Sequence, residues 1–319
     1  MTCIPQFKEL LEKAQTIAKA FKNASLQYAR LRQLQVEIYG QKQSLCLSVI
    51  TRWGTQYRLV ESLLKSKDAL RRYAIAHEPG DLAAHAHDYI NSSMFWASLE
   101  SLRELLQPID EALRMSESNQ AHLEKVLDRW AMIHTHLNRM KTDFPVLGDF
   151  LKTNGVFSSR YHRRVLPIHI VAFFLPPYHR TTAMDASSEA RIYEFFNQYT
   201  EDRKTIRTEF QCFRNQLHPF EAVRVCWEHA NEPRIFWLMQ LEHTKVIGKL
   251  AVRIYSTPAN SVPSERSFST QNFIHDKKRN RLGSEKVNKL TYVYMNSRVL
   301  GDVDRLPVKS VHALTEEEG

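Results

Sequence analysis

The chain has 319 residues, which is enough for two ordinary domains or one large helical domain. Hydrophobic residues make up 43% of it, which predicts a packed core and excludes an intrinsically disordered chain. The formal net charge of +9 permits contact with nucleic acid or another polyanion, although a basic surface also serves solubility. The 9 glycines and 12 prolines are few for this length and favour long helices over a β-sandwich or barrel.

The N-terminal part of the chain predicts helices interrupted by one strand. Apolar residues three or four apart follow Pro5 and predict an amphipathic helix, and a second helix over 26–39 is expected to end at Gly40. Residues 45–50 are rich in apolar side chains and show little helical period, so they are the best strand candidate. From residue 55 to 73 the pattern is helical again.

The central part of the chain predicts longer helices. Apolar side chains recur at helical spacing over 91–115 and 120–140, and Pro108 is expected to kink or divide the first of these helices. Residues 154–164 are expected to form a basic loop. Further helices are predicted over 183–213, 219–230 and 233–255.

Neither a membrane span nor a cysteine-based site is expected. No stretch reaches the roughly 18 apolar residues of a membrane helix, and the N-terminus lacks the pattern of a secretory signal. No pair among the four cysteines has CxxC spacing, so neither a zinc ribbon nor a redox motif is predicted. The cysteines are expected to be reduced thiols of an intracellular protein.

Residues 260–282, NSVPSERSFSTQNFIHDKKRNRL, are the most informative segment. Pro263 suits the first turn of a helix, where a missing backbone N–H costs nothing. Glu265 then lies near the positive end of the helix dipole. Farther along, Phe268, Phe273 and Ile274 predict a face that reaches a core.

A dense basic run follows this helix, and a second helix is predicted to start at Ser284. The basic run contains Lys277, Lys278, Arg279 and Arg281. Apolar side chains at helical spacing on the second helix are Val287, Leu290 and Tyr294.

The sequence of this region resembles the C-terminal region of hAT-superfamily transposases. The family pattern is roughly SxxSERxFS, then RNRL, then ExVxxLxxxxxN. Its counterparts here are Ser261, residues 264–269, residues 279–282, Glu285, Val287, Leu290 and Asn296. The resemblance implies that this region is a dimerisation domain and that Glu265 corresponds to the last acidic residue of a metal-binding catalytic triad.

Other segments are similar to the same family and imply a domain order. Residues 51–54 resemble its TRW motif, residues 95–117 a helix pair, and residues 235–237 the approach to the C-terminal motif. The implied fold is mainly α, with a truncated ribonuclease-H-like core, a large helical insertion domain and only one or two short strands. The implied segments are a core remnant at 1–60, the insertion domain at 61–232, the dimerisation region at 233–300 and a flexible tail at 301–319.

The resemblance also bears on catalysis. Intact family members cut and join DNA with Mg²⁺ or Mn²⁺ held by two aspartates and a glutamate, because hard cations need several oxygen ligands. In the family both aspartates precede the TRW motif, and this chain shows no acidic residue in the right setting before Trp53. The chain is therefore expected to have no catalytic activity of its own, no metal site and no cofactor.

Each candidate residue also has a plain structural explanation. Glu265 can stabilise only its own helix dipole, and Trp53 can close a core instead of stacking on a DNA base. The basic run at 277–281 can contact phosphates, direct nuclear import or form a solvated turn. Arg52, beside Trp53, is a further candidate for nucleic-acid binding. The pairs His85–His87 and His134–His136 have i, i+2 spacing, which points to different helix faces and predicts surface histidines rather than metal ligands.

The leading hypothesis is a self-associating fragment. Its partner would be a second copy or a related transposase chain, held through the apolar residues Phe236, Trp237, Val287, Leu290 and Tyr294. A DNA-binding or regulatory protein derived from a transposase is the alternative, and an active transposase or nuclease is the least favoured. The resemblance implies a nuclear location, and neither a membrane nor a small-molecule substrate is expected.

Overall fold

The structure is a computed structural model that describes residues 4–49, 54–77, 82, 85–118, 121–221, 227–274 and 282–299. Over these residues the chain is mainly helical, which confirms the predicted helical class. The helices within the described ranges are, in chain order, α1 (Pro5–Lys22), α2 (Ser25–Tyr39), α3 (Thr55–Lys65), α4 (Lys67–Ala76), α5 (Ala86–Asn91), α6 (Ser93–Ser116), α7 (Lys125–Arg139), α8 (Leu147–Leu151), α9 (Val156–Arg164), α10 (Pro167–Phe174), α11 (Ala186–Tyr199), α12 (Arg203–Asn215), α13 (Pro233–Met239), α14 (Ile247–Tyr255), α15 (Val262–Ile274) and α16 (Ser284–Val299).

The helices pack into two compact units. The first comprises Met1–Arg114 and Leu127–Leu166, and the second comprises Met115–Val126 and Pro167–Gly319. The domain boundaries predicted after residues 60, 232 and 300 follow the family pattern rather than this packing, and they stay predictions. None of the helices in the described ranges has both the length and the apolar character of a membrane span.

The first unit forms around α1, whose apolar face is buried along its whole length. The ring of Phe21 packs edge-on against Tyr73 of α4, with 5.0 Å between ring centroids. Trp96 of α6 is buried as well, and its indole N–H donates to the carbonyl oxygen of Ile90 at 2.7 Å. Pro108 lies inside α6 and does not divide it, contrary to one of the two predicted outcomes.

The predicted strand over 45–50 is wrong for its described part, because residues 42–49 form an irregular segment. Its backbone N–H groups donate to side chains of helices instead of to a neighbouring strand. The acceptors are Tyr28 Oη for Leu45, Ser62 Oγ for Cys46, Gln15 Oε1 for Ser48 and Thr55 Oγ1 for Val49, at 2.9–3.3 Å. Within the described residues the only β-pairing is an isolated antiparallel bridge between His122 and Pro258. The ribonuclease-H-like remnant therefore stays a prediction.

Predicted elements also differ from the structure in their bounds. The loop expected over 154–164 contains α9, and the helix expected over 183–213 is divided into α11 and α12. This division has a local cause, since Asp202 accepts from the backbone N–H of Thr205 at 3.2 Å and starts a new helix there. The pattern over 233–255 likewise yields two helices, α13 and α14.

The second unit holds a partly buried carboxylate contact between α12 and the start of α14. Glu209 on α12 accepts from three consecutive backbone N–H groups, those of Lys245, Val246 and Ile247, at 2.5, 3.1 and 2.8 Å. The first N–H groups of a helix have no partner inside the helix, and a carboxylate is the acceptor that the helix dipole favours there. This contact fixes where α14 begins.

Replacing Glu209 with glutamine should destabilise the second unit by about 1–3 kcal/mol. Glutamine offers one acceptor oxygen and directs an NH₂ group at N–H groups that are already donors. Urea unfolding followed by circular dichroism would measure the change. The matched control is Glu194→Gln on the exposed side of α11, which should change the free energy of unfolding little. A loss as large in the control would contradict the assignment.

Two histidines should make the fold sensitive to mild acid. His136 is buried, contrary to its prediction as a surface residue, and burial together with Arg139 lowers its pKa. Burial and Arg191 lower the pKa of His169 in the same direction. The unfolded chain therefore takes up protons near pH 6.5 before the folded chain does.

The free energy of unfolding should therefore be highest above pH 6.5 and fall as the pH drops below it. Urea titrations at pH 7.5 and 5.5 would show the loss, and His136→Gln should make the loss smaller. His134→Gln, on an exposed position of the same helix, should leave it as in the wild type. An equal loss in wild type and His136→Gln would contradict the prediction.

Candidate functional site

Phe236 and Trp237, two of the predicted dimerisation residues, lie in the core of the second unit. Both are fully buried. The Trp237 ring packs 4.9 Å from that of Phe213, and its indole N–H donates to the carbonyl oxygen of Leu175 at 2.9 Å. The structure thus corrects the expectation that these two side chains form a contact surface, because both are buried in the core of their own chain.

The opposite side of α13 is apolar and exposed. Ile235, Leu238 and Met239 are 37%, 40% and 46% exposed. Their i, i+3, i+4 spacing places them on one face of the helix. The spacing of these three apolar residues is visible in the sequence. The prediction instead chose Phe236 and Trp237, which lie on the buried face of α13.

The helices α15 and α16 form an antiparallel pair, which we call the hairpin. Among the described residues they pack chiefly against each other. Thr270, Ile274 and Val287 are buried. Two polar contacts also join the helices, from Thr270 Oγ1 to Met295 Sδ at 3.6 Å and from Gln271 Nε2 to Asn288 Oδ1 at 3.2 Å.

The predicted apolar residues of α16 lie on one side of that helix. Val287 is buried, and Leu290 and Tyr294 are half-buried. At positions i, i+3 and i+7 they share a face. At Val287 this face is buried within the chain itself, so only the part at Leu290 and Tyr294 is partly open to a second chain.

The largest exposed side chains of the hairpin are aromatic. Phe268 and Phe273 on α15 are 63% and 57% exposed, and Tyr292 on α16 is 71% exposed. The expectation that Phe268 and Phe273 reach a core is wrong, and of that predicted face only Ile274 is buried. A pair of helices buries one stripe of each helix, and these aromatic residues flank the stripe.

A shallow groove between the two helices borders Tyr292. It is lined by Ser267, Gln271, Asn288, Thr291, Tyr292, Met295 and Asn296. Amides and hydroxyls beside exposed aromatic rings are the composition expected of the polar rim of a protein interface. The groove offers no charged group for a small ionic ligand.

The start of α15 is anchored within the second unit. The backbone N–H of Ala259 donates to the carbonyl oxygen of Ala121 at 2.8 Å, and the Asn260 side-chain amide donates to the carbonyl oxygen of Ser116. One turn later, Glu265 is exposed and accepts from the hydroxyl of Ser261 at 3.0 Å. This is the geometry of a carboxylate that stabilises the beginning of its own helix.

The hairpin lies within a segment that matches a known family in a sequence comparison. Residues 220–297 match the family model described as the hAT family C-terminal dimerisation region. The chain carries an hAT dimerisation region. This match confirms the resemblance stated for the C-terminal region, and it covers α13 to α15 and α16 as far as residue 297. No curated protein matches the chain in a sequence search.

Several predicted positions lie outside the described residues. These are Arg52, Trp53, Lys277, Lys278, Arg279, Arg281 and the tail at 301–319. Their proposed roles stay predictions. In the part of the chain that is described, no group of three or more His, Cys, Asp or Glu side chains is placed to hold a metal ion.

Proposed function

We propose that this chain is a self-association module in which the hAT dimerisation region joins two copies through the outer sides of the hairpin. The family match supports association with a like chain. A related transposase chain that carries the same region is an equally suitable partner.

The observation that carries this proposal is the exposure of Phe268, Phe273 and Tyr292 on a pair of helices that pack chiefly on each other. Two helices alone bury little apolar surface, and helices in water owe most of their stability to tertiary packing. Burying a phenylalanine side chain contributes about 1.5–3 kcal/mol. A partner that covers these rings would therefore stabilise the hairpin and the complex together.

We also propose that the chain does not cleave DNA by itself. The Glu265 carboxylate is exposed, and its described partner is the hydroxyl of Ser261. Two-metal phosphodiester chemistry needs several carboxylates that converge on one site. A helix-stabilising role accounts for Glu265 without any catalytic one. A nuclear location, implied by the resemblance alone, stays part of this proposal.

Replacing Phe268 and Tyr292 with serine should weaken the dimer about 100-fold or more. Each ring contributes at least about 1.4 kcal/mol if it is buried on association, and that amount corresponds to tenfold in affinity. Sedimentation equilibrium over a concentration series would give the dissociation constants. Circular dichroism melts taken well below the dissociation constant of the wild-type dimer should match the wild type, because both side chains are exposed in one copy.

The matched control replaces Ile75 and Met94, which are 83% and 80% exposed in the first unit. Ile75→Ser/Met94→Ser removes two exposed apolar side chains outside the matched region and should dimerise as the wild type does. A wild-type chain that remains monomeric at high concentration would overturn the proposal, as would equal weakening in both double variants.

Incubation of the full chain with Mn²⁺ and duplex DNA that carries inverted terminal repeats should give no specific nicks. Wild type, Glu265→Gln and the control Glu285→Gln should behave alike on a denaturing gel. Site-specific nicking that Glu265→Gln abolishes and Glu285→Gln preserves would show that Glu265 is catalytic.

A further inference from the structure

A row of positive side chains lies on the exposed side of α14. Lys249 and Arg253 are exposed and four residues apart, which is about 6 Å along the helix axis. Lys245 is exposed just before the helix begins. Arg234 of α13 extends the row, because its Nε donates to Ser256 Oγ at the end of α14 at 3.2 Å. We call these four basic side chains the cationic face.

The cationic face is held on a rigid support. The other side of α14 is packed into the second unit, where the hydroxyl of Tyr255 donates to the carbonyl oxygen of Ala172 at 3.1 Å. Glu209 holds the first N–H groups of the same helix. The basic side chains on the helix therefore keep a fixed spacing.

The described carboxylates near the cationic face leave it positively charged. Within the described ranges, none of its four side chains forms an ion pair, and α14 itself contains no acidic residue. Glu209 is engaged with backbone N–H groups, and Glu232 lies 3.3 Å from His229 Nδ1. Glu242 is exposed and is a single charge against four. Lys249 even lies in the first turn of α14, where the helix dipole opposes a cation.

The complementary charge is in the part of the sequence that follows α16. Residues 316–318 are three consecutive glutamates, the longest acidic run in the chain, and we call them the acidic run. Residues 300–315 contain two aspartates, one arginine and one lysine, which cancel. In an extended peptide, side chains i and i+2 point to the same side about 6.6 Å apart. This spacing matches the rise of about 6 Å between Lys249 and Arg253.

The end of α16 lies beside the start of α15. Gln271 of α15 donates to Asn288 near the start of α16, at 3.2 Å. Nearer the other end of the pair, Ser267 and Asn296 line the same groove. α16 therefore runs back toward the residues that join α15 to α14.

The acidic run is within reach of the cationic face. The start of α15 follows the end of α14 by about seven residues, which span at most about 25 Å. A flexible connection of about 17 residues separates the end of α16 from the acidic run, and its root-mean-square span is about 20–25 Å. α14 itself is only about 14 Å long. The connection is thus long enough for the run to meet the whole row.

We infer that the acidic run binds the cationic face of α14 in the same chain. Each exposed ion pair is weak by itself. Tethering through a short flexible connection raises the local concentration to about the millimolar range, so several weak pairs suffice to dock the run in part of the molecules. The run therefore competes with any external polyanion for this face. This contact does not rest on the proposed self-association.

The test follows the amide ¹H–¹⁵N signals of residues 315–319 in the full ¹⁵N-labelled chain at about 50 mM salt, where exposed charges are little screened. An isolated peptide of residues 311–319 gives the positions of the free signals. In Lys249→Ala/Arg253→Ala the shift differences from the free peptide should fall about threefold, because two exposed ion pairs are lost. Raising the salt to about 500 mM should have the same effect on the wild type.

The reciprocal variant is Glu316→Gln/Glu317→Gln/Glu318→Gln. It should shift the amide signals of Lys249 and Arg253 and leave those of α9 in place. The matched control is Arg163→Ala/Arg164→Ala, which removes two exposed cations from the end of α9 in the first unit. It should leave the signals of residues 315–319 at their wild-type positions. Lys249→Gln/Arg253→Gln replaces the alanine pair if that variant fails to fold.

The inference is overturned if the wild-type signals of residues 315–319 coincide with those of the free peptide at about 50 mM salt. It is equally overturned if they stay in place in the α14 variants, or if the control pair shifts them as much. The wild-type shifts should not change on dilution. A return to the free positions below the dissociation constant of the dimer would assign the contact to a second copy instead.

Discussion

Burial of the Trp237 ring organises the second unit. The ring sits among Phe213, Phe220 and Phe236, and its indole N–H reaches the carbonyl oxygen of Leu175 just beyond α10. A buried indole N–H must find an acceptor, and this one finds a backbone carbonyl. The bond therefore fixes the rotation of α13 as well as its position. Once that rotation is set, Phe236 and Trp237 face inward, and the apolar residues on the other side of α13 face the solvent.

The position of α13 determines what the following helices can present. α13 packs against α14, and Glu209 fixes the first residue of α14. The chain then reaches α15 through Ala259 and Asn260, which are bonded to residues 121 and 116. As a result, one unit carries two surfaces of different chemistry, a hairpin with exposed aromatic rings and a helix with exposed cations. Because the two surfaces are formed by different residues, a substitution can change one surface and leave the other intact.

Sequence patterns predicted helices well where one face of a helix enters a core. α1, α6 and α14 carry apolar residues three or four apart, and those residues are the buried ones. The same reasoning failed for residues 45–49, where an apolar composition suggested a strand. There the backbone donates to side chains of α1, α2 and α3, and such partners are far apart in sequence. Composition reports that a segment is buried, but it does not report which groups satisfy its backbone.

The candidate site, too, was predicted from the sequence only in part. The segment around Ser261 and Glu265 was identified from its sequence motif. The family match then confirmed that it lies in a region similar to the hAT dimerisation region. Which aromatic residues face outward was not predictable, because Phe236 and Phe268 are alike in residue type and in helical setting. Phe236 is fully buried and Phe268 is 63% exposed, since α13 packs into the core of the second unit and α15 packs chiefly against one helix.

The sequence by itself determined that the chain is helical, that it is basic and that its C-terminal part belongs to a dimerisation region. The spacing of apolar residues and the sequence motif are local properties, and charge is a sum over the composition. None of them depends on which distant residues come into contact. Only the tertiary structure decided which faces are exposed. Exposure depends on how many neighbours each helix has, and those neighbours come from distant parts of the chain, as Leu175 does for Trp237 and Glu209 does for α14.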